Sequence, residues 1–154
     1  MKQLKYILVM MLVAFVLLPA DVEAATVQKD LSIEKVFVRY GKKKNVTMVE
    51  LSNEMLETYG MTRYKSITIK SDVEALRFTR QCLEADQRGA RKIKEVTDEG
   101  AVVSAYYQLQ GEDSDVNRFI LFKVNVKATF TLVYIEGELD SEDLITLLFT
   151  KKDL

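Results

Sequence analysis

The chain has 154 residues, of which 48% are hydrophobic and 29% charged, and its formal net charge is −1. That balance belongs to a globular protein and supplies no whole-molecule field to gather nucleic acid or anionic lipid. Histidine is absent, which removes Ser-His-Asp and Cys-His catalysis and histidine-ligated zinc.

The first segment, residues 1–24, has the layout of a signal peptide. Lys2 and Lys5 precede an apolar run over 7–18, Pro19-Ala20 breaks it, and Val22-Glu23-Ala24 offers a cleavage site. As a helix the run reaches only about 18 Å against about 30 Å of hydrocarbon, so cleavage is expected over retention as an anchor. Residues 25–154 are then expected to form a single domain, exported to a periplasmic or secreted location and touching the membrane only through the signal segment.

Asp30 is placed to cap a helix over 30–40, with Gly41 ending it. Lys42-Lys43-Lys44 reads as a solvated turn, and Asn45-Val46-Thr47 matches a glycosylation sequon that matters only in a pathway using it. A strand over 46–51 follows, then a short helix capped by Ser52, then a strand over 63–70. Ser71-Asp72-Val73-Glu74 predicts a capping box, serine bonding forward and glutamate back, for a helix that turns Leu76, Phe78, Cys82 and Leu83 inward. Cys82 is the only cysteine, so no internal disulfide forms and a buried thiol is expected. Strands over 91–97, 101–109, 116–124 and 129–137 and a helix over 140–149 complete the chain. The result is an α+β fold: a four-stranded C-terminal meander plus two earlier strands in an antiparallel sheet. Helices are expected over one face.

The acidic run Glu136-Gly137-Glu138-Leu139-Asp140-Ser141-Glu142-Asp143 lacks the spacing of a calcium loop and reads better as a helix start, its carboxylates complementing the dipole. Arg77, Arg80, Arg88, Arg91, Lys92 and Lys94 form a cationic stretch offset by nearby acids. Apolar residues lie on both faces of the strands at 116–124 and 129–137. Either helices cover both sides, or one face meets a partner or small ligand. The sequence contains no glycine-rich phosphate loop and no nucleophile elbow.

Val49-Glu50-Leu51-Ser52, a strand-to-helix step, and Gly137, Asp140, Asp143 and Leu144, a glycine before an acidic helix start, give the chain a likeness. It resembles the small exported Bacteroidetes proteins of a domain-of-unknown-function family. The resemblance implies a cell-envelope component, sometimes encoded beside extracytoplasmic sigma-factor systems, and brings no catalytic residues with it. The function expected is therefore a non-catalytic binding or regulatory module of the envelope, with no cofactor and no metal. Its partner would be an unknown envelope protein or small molecule, and its interaction surface Tyr106, Phe119, Glu136 and Asp140. The alternative is an envelope-acting hydrolase using paired carboxylates, Glu136 and Asp140.

Overall fold

Six strands form one sheet in the order β1-β2-β6-β5-β4-β3, and every neighbouring pair is antiparallel. A computed structural model describes residues 30–111 and 113–150; the predicted signal segment lies outside them. The strands are β1 (Val46–Glu50), β2 (Met61–Ile69), β3 (Arg91–Asp98), β4 (Ala101–Gln110), β5 (Asn117–Val124) and β6 (Phe130–Gly137). The helices are α1 (Glu34–Tyr40), α2 (Asn53–Thr58), α3 (Val73–Asp86) and α4 (Ser141–Thr150). The fold is α+β, as the sequence pattern predicts.

β2, β6, β5 and β4 are the inner strands, and side chains alternate across them. On the first face Ile67, Tyr107, Ile120, Phe122, Leu132 and Tyr134 are buried against α1 and α3. On the second, Tyr106, Phe119 and Ile135 are buried against Leu139 and against Leu144 of α4. Helices thus cover both faces, which corrects the expectation of a one-sided cover. Central strands this apolar on both sides need a layer on each.

Two helix starts differ from the sequence reading. α3 is capped by Asp72, whose Oδ1 accepts from the Ala75 amide at 2.9 Å. Ser71, at φ 51°, instead donates its amide to Thr129 Oγ1 at 3.2 Å. Glu74 pairs with Arg77 and does not reach back. α1 is not capped by Asp30: the amides of Ser32 and Ile33 donate to the carboxylate of Asp86, at 2.7 and 2.9 Å. A cap supplied from the far end of α3 leaves no local signal. α4 follows expectation more closely, since Asp140 Oδ1 accepts from the Asp143 amide at 2.8 Å and Asp143 Oδ2 from the Asp140 amide at 3.3 Å.

Glu99 and Gly100, both at positive φ (49° and 79°), close the β3–β4 hairpin with the backbone sense that matches strand twist. Gly137 has a different role. A Cβ there would collide with the Gly60 carbonyl oxygen and stand 2.5 Å from Leu139 Cδ2. Only glycine lets β6 pass this close to the α2–β2 junction. Among the described residues no helix is long and apolar enough to cross a membrane.

Candidate functional site

The described residues of α4 do not roof the whole second face. Beside it a groove of about 870 Å³ remains over β3, β4, β5 and β6. Its floor is Leu121 and Val133, its sides Ile93 and Val96 of β3 and Ile145 of α4, and Tyr106 lies at the α4 end. Ile93, Leu121, Val133 and Ile145 are half-buried, so the groove is an apolar surface left partly open. Lys94 and Lys123 stand exposed at its rim, and Ser104, Asn125 and Thr131 supply polar groups. An apolar bed with a cationic edge suits a ligand with an apolar body and an anionic end.

The four residues expected to form an interaction surface are divided by the sheet. Tyr106 and Phe119 lie on the second face, rings 6.1 Å apart, but only 8% and 0% exposed beneath α4. Tyr106 donates to the Ser141 carbonyl oxygen at 3.2 Å, and Asp140 is committed to the α4 cap. Glu136 faces the first side, where the Tyr134 hydroxyl donates to it and accepts from Arg118 Nε at 2.8 Å. Arg118 is 4% exposed and lies 4.0 Å from Glu136, and Arg63 reaches the same carboxylate at 4.0 Å. Glu136 lines a cleft there of about 400 Å³, and Asp140 does not. The two carboxylates therefore serve different sites, one an arginine–tyrosine network and the other a helix start.

Burial, and then hydrogen bonds or negative charge, hold three phenols above their ordinary range. Burial and the Asp140 charge push Tyr106 to about 12. Burial and the hydrogen bond to Glu95 raise Tyr107, and burial and the bond to Glu136 raise Tyr134. A folded pKa above the unfolded value of about 10 favours folding fully below pH 10 and loses that contribution as pH rises through the folded values. Alkaline titration followed at 295 nm should therefore show a late group of phenols ionising together with loss of the near-ultraviolet circular dichroism signal. Ionisation of all tyrosines near pH 10 with the fold intact would contradict this. Cys82 is buried, with burial and the neighbouring Asp86 charge raising its thiol, the reverse of an activated nucleophile.

Comparison with known families places the chain. A family model matches residues 21–148. This chain belongs to the family of unknown function DUF6108. No curated protein matches it. Among solved structures, the crystal structure of the protein of unknown function PA94 from Pseudomonas aeruginosa is similar over 73% of this chain and 80% of that one, at 14% identity. The TM-score is 0.36, too low to carry an argument.

In this DUF6108 chain the groove residues Ile93, Leu121, Val133 and Ile145 are not singled out by sequence reasoning. Their signal is present as apolar residues on both faces of β5 and β6. Which of those residues α4 leaves uncovered depends on the sheet order, which pairs β6 with both β2 and β5.

Proposed function

We propose that this DUF6108 protein is an exported, non-catalytic binding module of the bacterial cell envelope. Its groove over β3–β6 holds a small amphiphile with a linear apolar body and an anionic end. The observation that carries this reading is the open apolar bed of Leu121, Val133, Ile93 and Ile145 beside Lys94 and Lys123. Export is supported by the lysines, apolar run and small-residue site of residues 1–24. A passive binding role is favoured because the acids of the hydrolase alternative, Glu136 and Asp140, are engaged in separate structural contacts.

Calorimetric titration with fatty acids tests this. Each buried methylene is worth up to about 0.8 kcal/mol, so dodecanoate should bind at least about tenfold more tightly than octanoate. The cationic dodecyltrimethylammonium should bind more weakly than dodecanoate. Reversing both rim charges, Lys94→Glu with Lys123→Glu, should invert the headgroup preference without unfolding the protein, because both side chains are exposed. Absence of binding, or a preference indifferent to the charge reversal, would refute the assignment.

A further inference from the structure

Three loops meet at one end of the sheet. The register sets Val46, Ile69, Phe130 and Val124 in line across β1, β2, β6 and β5. The turn before β1, the link from β2 to α3 and the β5–β6 turn therefore emerge side by side. Hydrogen bonds tie them together. The Lys70 amide donates to the Asn45 carbonyl at 3.0 Å, and Asn45 Nδ2 donates to the Lys70 carbonyl at 2.9 Å. The Asp72 amide donates to the Ala128 carbonyl at 3.3 Å, next to the bond from the Ser71 amide to Thr129.

The tip so formed is basic. Lys42, Lys43 and Lys44 come from the first loop, Lys70 from the second and Lys127 from the third, and all five are exposed. Read along the sequence, the first three are a solvated turn; the fold adds the other two. Of the neighbouring carboxylates, Asp72 caps α3, whose dipole offsets its charge, and Glu74 is paired with Arg77. Asp98 and Glu99 belong to the β3–β4 hairpin at the opposite edge. Val73, at the start of α3, and Val126, in the β5–β6 turn, are 71% and 78% exposed and belong to neither buried cluster. Aliphatic side chains standing out among lysines match the layered chemistry of an anionic bilayer, with phosphates at the surface and hydrocarbon beneath. An acidic polypeptide would satisfy the lysines alone.

We propose that this tip docks the protein on an anionic phospholipid surface, with its lysines against the phosphates and Val73 and Val126 pressed among the headgroups. The net charge of −1 gives no general attraction to lipid, so the local cluster both holds and orients the molecule. Asn125 belongs to the β5–β6 turn and also lines the groove over β3–β6. Docking by the tip thus brings that end of the groove toward the bilayer. The docking itself does not rest on what the groove holds.

Co-sedimentation of the processed protein, free of the apolar run over 7–18, with phosphatidylcholine vesicles containing about 30% phosphatidylglycerol tests this at about 0.1 M salt. Binding is expected, and pure phosphatidylcholine should hold the protein at least about tenfold more weakly. Each lysine near such a surface is worth about fivefold, so Lys70→Glu with Lys127→Glu should weaken binding about twenty-fivefold or more. Val73→Ser with Val126→Ser, both at exposed positions, should weaken it about tenfold. Lys94→Glu, on the groove rim at β3, should weaken dodecanoate binding but leave vesicle binding within about twofold, which separates docking from the groove. Equal binding to neutral vesicles, or indifference to the reversal at Lys70 and Lys127, overturns the proposal. So does a loss of vesicle binding through Lys94→Glu as large as through the tip. Soluble polyglutamate binding as tightly as the vesicles, with no effect of the valine substitutions, would assign the surface to an acidic polypeptide instead.

Discussion

Replacing Asp86 with alanine should destabilise the protein by about 3 kcal/mol, seen as a lower urea midpoint. The carboxylate is 2% exposed and sits in the last turn of α3, where the helix dipole disfavours negative charge. Burial raises its pKa, opposed by the Ser32 and Ile33 amides and by Arg118. Such a site is tolerated because the carboxylate satisfies two amides that lead into α1. Hydrogen bonds to a charged group contribute about 1.5–3 kcal/mol each, and alanine forfeits both while relieving the burial of a charge, which brings the net to the lower end of the about 3–6 kcal/mol that two such bonds contribute. Asparagine keeps one accepting oxygen and should cost about half as much. A cost near zero for alanine would mean that water takes over the capping role.

The same residue predicts a pH dependence. Because the folded pKa of Asp86 lies above its unfolded value, protonation favours the folded state. Its contribution is full below about pH 3.9 and is lost as pH rises through the folded value. The carboxamide introduced by Asp86→Asn cannot titrate. The stability difference between the natural protein and this variant should therefore widen as pH falls from neutrality, whatever the other carboxylates do in both. A difference that narrows on acidification would show that the ionised carboxylate is the favoured form.

These effects mark where sequence reading stops. Strand alternation, Ser52, and the acidic start at Asp140 act within a few residues, and each is legible. Alternation also groups Ile67 and Ile69 on one side of β2, where both are buried. Asp86 caps amides more than fifty positions away, and a residue at a helix end does not announce such a partner. Ser71 has the spacing of a cap, but its amide is held by Thr129, which leads from the β5–β6 turn into β6. The expected surface fails to assemble for a related reason. Alternation says that Tyr106 and Tyr107 point to opposite faces, but only the strand order and the position of α4 decide which face stays open.

Phe119→Ala should cost about 4 kcal/mol, more than any loss of a hydrogen-bonded cap. The ring is fully buried in the centre of the second face, against Tyr106, Ile135, Leu139 and Leu144. Truncating a buried phenylalanine costs about 3–5 kcal/mol through lost transfer energy and the cavity left behind. The tilted ring contact with Tyr106 adds about 0.5–1.5 kcal/mol to that environment, so an outcome above the lower limit is expected. The consequence extends to the groove, because Leu144 seats α4 on this cluster and Ile145, the next residue, forms one groove wall. Loosening α4 should weaken dodecanoate binding even under conditions where the sheet remains folded. The rim reversal at Lys94 and Lys123 should do the opposite, changing headgroup preference with little effect on the urea midpoint. If Phe119→Ala unfolds the protein at lower urea but leaves the affinity of the remaining folded molecules unchanged, α4 does not shape the binding surface. The groove would then be formed by the sheet alone.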